Sequence, residues 1–269
     1  MQQPGLMNRI ILRMKRSNSP AVRILKRIYA FIAWPSVIQL PRSVLAPLRL
    51  LYELHWMAIS AFNSFITFFY RAPLFQARCA SFGRNVRMWG KMPFVTGHVE
   101  IHVGDWVSFG GNVQVMSGRV YDQPKLIIGD RSGIGGNTMI SVNREVIIEE
   151  DVWLPYDCHI SDTDAHPREA DLRLAMQPPN PKDCRPVRIC KKAWIGNGTH
   201  IMKGVTIGEG AIIGAKSVVI TNIPAYSLAM GNPAEVIIRN FGLPSTAKQP
   251  PQKQPDVKTE PEPKEQPAG

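Results

Sequence analysis

Between Trp194 and Ile220 the chain reads WIGNGTHIMKGVTIGEGAIIGAKSVVI, with isoleucine at 195, 201, 207 and 213. Ile189 before and Val219 after keep the same interval. A helix repeats near 3.6 residues and a strand near 2, so a period of six requires a strand that turns a corner between beats. Four residues after each beat stand Ala193, Thr199, Val205, Ala211 and Ser217, small or branched groups suited to the inside of a bend. Gly196, Gly208 and Gly214 directly follow their isoleucines, where a corner needs either a positive φ or close backbone approach. The pattern predicts a β-solenoid, in which each rung buries its apolar face only by stacking on the next.

The same beat runs earlier, in Val103, Phe109, Val115, then Ile128, Ile134, Ile140, then Ile148, Leu154, Ile160. The steps between these sets are irregular, and the longest gap separates Ile160 from Ile189. Insertions in repeat proteins become surface loops, and loops carry sites, so this arm, 161–188, is where function is expected. Its prolines at 178, 179, 181 and 186 favour an extended, protruding course.

The pattern changes at both ends. The stretch RILKRIYAFIAW, Arg23 to Trp34, interleaves bases with apolar residues and predicts a basic amphipathic helix of the kind drawn to anionic lipid. LYELHWMAISAFNSFITFFY, Leu51 to Tyr70, is about long enough to span a bilayer, but Glu53, His55 and Asn63 interrupt it. Residues 1–78 are therefore expected to be a helical segment that caps the solenoid's open edge, contacts a membrane peripherally, or both. Residues 244–269, rich in Pro, Gln, Lys and Glu, are expected to be a disordered tail. The solenoid is assigned to 79–243.

The net charge of +11 on 269 residues is uneven. Residues 1–50 hold nine Lys or Arg and no acid, whereas 79–243 balance 17 bases against 16 acids. The solenoid is thus nearly neutral and carries no nucleic-acid footprint. Cys79, Cys158, Cys184 and Cys190 have neither zinc-knuckle spacing nor a disulfide framework, which points to a reducing compartment.

The runs PVRICKKAWIGNGTHIMKGVTIGEGAIIGAKSVV, Pro186 to Val219, and IPAYSLAMGNPAEVIIR, Ile223 to Arg239, resemble the hexapeptide-repeat acyltransferases, particularly the sugar and polysaccharide O-acetyltransferase branch. The resemblance covers roughly residues 80–240. It implies an all-β solenoid of the left-handed parallel β-helix type, a homotrimer with sites between subunits, and acetyl-CoA as acyl donor.

Transfer from a thioester to a sugar hydroxyl requires a base, and histidine titrates near neutrality. His166, in DAHP, matches the family's His-Pro motif and is the expected base. Asp162 and Asp164 flank it, either to orient the imidazole or to meet the acceptor, or simply as turn residues; Asp164 is assigned the orienting role and Asp162 the substrate. The resemblance places Trp194 at the acceptor or cofactor, core packing being the alternative. It also assigns the donor to Gly196, Asn197, Gly214, Ala215, Ser217, Asn232, Pro233 and Arg239; Lys216 stands where relatives commonly have a small residue, and is expected either to reach a phosphate of the donor or to be a solvated corner lysine. Two departures matter. Ile220, Thr221 and Asn222 stand where relatives often carry Thr-Lys, and Glu235 stands where a base often follows Gly-Asn-Pro-Ala, so two expected phosphate contacts are missing.

The expected function is acyl transfer, most simply of acetyl, from acyl-CoA to a saccharide hydroxyl, on the cytoplasmic side and peripheral to the inner face of the membrane. A serine- or antibiotic-type acceptor, or a catalytically silent scaffold, are the alternatives. No metal is expected, because His98, His102, His159 and His200 lack the spacing of a three-histidine zinc site.

Overall fold

The computed structural model describes residues 17, 19–33 and 40–242. The expected tail, 244–269, and Trp34 lie outside them. The chain divides into two compact units, Met1–Ser60 and Ala61–Gly269.

In the first unit, α1 spans Pro20–Ala33. The second helix, α2, spans Arg42–Ile66 with Pro47 inside it, begins in the first unit and buries none of its residues. Among the described residues no helix is long and apolar enough to cross a membrane.

The second unit is a three-sided parallel β-helix. Three sheets of six, eight and six strands run along its length, and each coil contributes one short strand to each sheet. The first face runs from Ser81–Phe82 to Thr206–Ile207, the second from Arg87–Met88 to Ala234–Ile238, and the third from Phe94–Thr96 to Val218–Val219. The sequence beats are its rungs. Val103, Phe109 and Val115 are the inward residues of one coil, and Val103 pairs with Ile128, Phe109 with Ile134, Val115 with Ile140 on the next. Ile189, Ile195 and Ile201 form a later coil beneath Ile207, Ile213 and Val219. Every beat residue is at most 3% exposed. Each such aliphatic contributes about 1.5–3 kcal/mol by leaving water.

The corners follow from backbone sterics. Asn85, Trp106, Arg131, Asp151 and Lys192 all have left-handed φ and form a column at the corner between first and second faces. Asn112, Asn137, Asp157 and Lys216 do the same between second and third faces. There Asn112 donates to Asn137 at 3.0 Å and Asn137 to Asp157 at 3.1 Å, a side-chain ladder that fixes one coil to the next. Gly196 and Gly208 serve close approach instead: a Cβ on either would lie 2.4 or 2.3 Å from the backbone nitrogen of Ala215 or Ala225 in the coil above.

Both ends of the prism are closed. After a π-helical turn, Thr67–Arg71, the helix α3, Ala72–Arg78, inserts Phe75 into the core, edge-on to Phe82 and Phe109 at 6.0 and 5.3 Å. Arg71 donates to the Gly90 carbonyl and Arg78 to those of Val99 and Gly97, covering acceptors of the first coil. At the other end Leu228–Gly231 pairs antiparallel with Ala234–Ile238, so the second face ends in a hairpin.

Candidate active site

The insertions share the corner between third and first faces: the loop 117–124, the turn 142–144 and the arm after Ser161. The arm leaves at Asp162, forms the short helix α4, Ala170–Leu174, and a 3-10 turn, Pro181–Asp183, then returns where Arg185 N–H donates to the Asp162 carbonyl at 2.8 Å. Tyr121 ties the loop 117–124 to the arm by donating its hydroxyl to the Pro181 carbonyl at 3.2 Å. Between them lies a cavity of about 420 Å³ lined by Ser117, Arg119, Asn143, His166, Met176 and Gln177, among others. His166 is exposed at this cavity, and Pro167 behind it is buried. No hydrogen bond to the imidazole occurs among the described residues, so both ring nitrogens remain open to a ligand.

The neighbouring carboxylates do different work from that expected of them. Asp162 is fully buried and accepts backbone N–H bonds from Asn143 at 2.8 Å, Arg144 at 2.6 Å and Glu145 at 2.9 Å. It holds the 143–145 turn and has no face left for a substrate. Burial pushes its carboxyl up, against the opposing pull of those three donors. Asp164 takes the ammonium of Lys203, a lysine only 6% exposed, and lies 3.7 Å from Arg168. It anchors the root of the arm to the prism rather than orienting His166.

Trp194 lies on the second face, 57% exposed and in register above Trp153, so core packing is excluded for it. Gly196, Asn197, Gly214, Ala215 and Lys216 form a column at the corner between second and third faces, where Lys216 N–H donates to the Asn197 carbonyl at 2.8 Å. The Lys216 side chain lies across Gly198, whose Cβ would fall 3.0 Å from the ammonium nitrogen. Asn232 and Pro233 form the turn of the closing hairpin above this column, and Arg239 follows its last strand, exposed. Ser217 is the exception: it is fully buried, donating to the Gly214 carbonyl at 2.7 Å and accepting from Gly231 N–H at 3.2 Å. Its side chain closes the coil and cannot reach a donor molecule.

Residues 186–221 match the bacterial transferase hexapeptide (six repeats) family. The matched segment, the coils that follow the arm, is thus similar to the hexapeptide-repeat transferases. The parallel, three-sheet coil on which it lies is the solenoid expected from the repeat. The chain is 31% identical over 155 residues to the probable acetyltransferase Rv3034c of Mycobacterium tuberculosis, which covers 54% of this chain and 49% of that one. It is 36% identical over 112 residues to the putative acetyltransferase YJL218W of Saccharomyces cerevisiae, covering 42% and 55%. The match thus spans about half the length of these curated relatives. Among solved structures, the Vibrio cholerae hexapeptide-repeat acetyltransferase VCA0836, complexed with acetyl coenzyme A, is 20% identical, covers 63% of this chain and 75% of its own, and has a TM-score of 0.43.

Two features of this hexapeptide-repeat domain escaped the sequence. One is the wall of the cavity from the loop 117–124, whose Ser117 and Arg119 follow no periodic pattern. The other is Lys203, a base buried at a corner, which the repeat marks only as a residue before Gly204. A third follows the repeat: three residues after most beats stands Asn, Asp, Gly or Lys, with left-handed φ at Asn112, Asn137, Asp151, Asp157, Lys192 and Lys216, while Trp106 and Arg131 depart from that pattern.

Proposed function

We propose that the protein is an acyl-CoA-dependent O-acyltransferase, with acetyl as the acyl group and a saccharide hydroxyl as acceptor. The observation that carries this reading is His166, open at the mouth of a cavity built by the arm. Its imidazole takes the hydroxyl proton as the alcohol oxygen attacks the thioester carbonyl. The C–O bond forms, the C–S bond breaks, and the imidazolium returns its proton to the leaving thiolate. The relatives' designation as acetyltransferases supports the acyl group.

Acetyl-CoA suits the corner of Gly196, Asn197, Gly214 and Ala215, where missing or short side chains leave backbone bare, with Lys216 beside it for a phosphate. That corner and His166 are on different edges of the same prism. A site that uses both needs a second subunit, which supports a homotrimer. Leu174 and Met176, 82% and 84% exposed on the arm, are suited to such a contact.

The first unit is read as peripheral membrane contact on the cytoplasmic side. Its described residues carry Arg23, Lys26, Arg27, Arg42 and Arg49 against Glu53 alone, beside exposed Leu50, Leu51, Tyr52, Trp56 and Met57. Cosedimentation with vesicles containing phosphatidylglycerol, lost in the Arg23→Gln, Arg27→Gln double variant, tests this contact.

The reaction is tested by following thiol release from acetyl-CoA over a panel of saccharides. Acceptor-dependent release falling about 10²–10⁴-fold in His166→Ala is expected. Release unchanged by that substitution, or seen equally without acceptor, refutes the assignment of the base.

A further inference from the structure

The second face carries a second cavity, of about 630 Å³, on four successive coils below Trp194. At the rise of neighbouring strands it runs roughly 14 Å along the prism. Trp89, Trp106, Trp153 and Tyr156 line it, each between 52% and 66% exposed. With Trp194 in register above Trp153, four of the five described tryptophans lie along one face. Large aromatics left in water are costly unless something covers them.

Two details indicate that the hollow is built. Gly133 stands on the strand between Ser108 and Trp153, and a Cβ there would lie 3.9 Å from the Trp153 ring and 3.2 Å from the Ser108 hydroxyl. A side chain there would crowd the Ser108 hydroxyl and contact the Trp153 ring. Trp106 has φ +61°, in a corner column otherwise filled by Asn, Arg, Asp and Lys. A bulky aromatic is rare in that region and is held there against strain, a common feature of binding surfaces.

The charges say what kind of ligand fits. The only ionisable side chains lining the cavity besides Tyr156 are Arg87 and Arg131, and no carboxylate lines it. Arg131 is paired with Asp151 at 2.7 Å. The Arg87 guanidinium makes no hydrogen bond or ion pair among the described residues and lies 5.7 Å over the Trp106 ring. Flat aromatic faces stack on the apolar faces of sugar rings, and an uncommitted guanidinium held among them meets a carboxylate or phosphate.

We propose that this groove is a binding track for an acidic saccharide chain, which holds units of a polymeric acceptor at a distance from the one being acylated. The proposal rests on the saccharide reading of the site above. The track selects long, charged acceptors over short or neutral ones, and contributes to KM rather than to the chemical step.

Binding is measured by calorimetry without CoA, so that the track stands or falls apart from the transfer reaction. The probes are hexagalacturonate and a hyaluronan hexasaccharide, with maltohexaose as the neutral control. The wild type binds the acidic probes in preference to the control. Trp106→Ala and Trp153→Ala each weaken that binding about tenfold, and Arg87→Gln removes the preference for charge. These side chains are surface-exposed, and circular dichroism checks that the variants are folded. With transfer established, the same substitutions raise KM for a long acidic acceptor and leave a monosaccharide acceptor unaffected. Wild type that binds neither acidic probe, binds the neutral one equally, or loses nothing in the tryptophan variants overturns the proposal. So does a Trp153→Ala variant that dissociates in sedimentation, when no probe binds the wild type; the face is then a contact between copies of the chain.

Discussion

Asp162 offers a direct way to separate architecture from chemistry at the root of the arm. Replacement by alanine removes the acceptor of three backbone N–H groups, those of Asn143, Arg144 and Glu145, in a region closed to water. Hydrogen bonds to a charged group are worth about 1.5–3 kcal/mol each, which sets the gross loss at roughly 4–9 kcal/mol. Burying the carboxylate itself costs several kcal/mol, and that cost disappears with it. The net destabilisation expected is about 3–5 kcal/mol. Asp162→Asn keeps one acceptor oxygen but turns an NH2 towards backbone donors, for a loss of about 2–3 kcal/mol. The assay combines urea unfolding with amide hydrogen exchange at 143–145, and both substitutions should speed exchange there first. If stability and exchange are unchanged while acyl transfer is lost, the reasoning is wrong and the carboxylate acts on the imidazole or the acceptor.

Asp164→Asn should leave the Lys203 ammonium buried without its partner, lowering stability by about 2–3 kcal/mol and exposing the arm to trypsin at Arg168 and Arg173. Adding Lys203→Met should recover most of that loss, and a non-recovering double variant would sink the idea. Gly196→Ala forces a Cβ to 2.4 Å from the Ala215 nitrogen and should cost about 1–3 kcal/mol in thermal unfolding, whereas a neutral result would mean that the coils separate freely. His159 is partly buried on the third face, its ring edge-on to His200 at 5.4 Å, and burial, with His200, pulls its titration below the ordinary value. The unfolded chain then takes up this proton more readily than the native one. The stability concerned is complete above the unfolded value, about 6.5, and is lost as pH falls from there through the native value. His159→Gln should flatten the stability profile between about pH 7 and 5, and an unchanged profile would assign that slope to other groups.

The repeat was legible because its physics is local and recurrent. One side of a coil is six residues, one of which must be aliphatic, and Ile195, Ile201 and their counterparts declare this without any knowledge of what lies above them. The same logic located the arm, since a gap in a strict period has to leave the prism. Roles that depend on what faces a residue were not legible. Ser217 and Asn197 both sit near the donor corner, yet one hydroxyl is buried in its own coil and the other side chain is exposed. Asp162 and Asp164 are two residues apart, and only the fold sends one to the 143–145 turn and the other to Lys203. The sequence by itself determined the coil, its core and the place of its interruption, because burial and period are properties of a single strand. Tertiary structure decided which carboxylates are spent on backbone and buried base, and gathered Trp89, Trp106, Trp153 and Trp194 onto one face. Those partners are distant in the chain and meet only where coils stack.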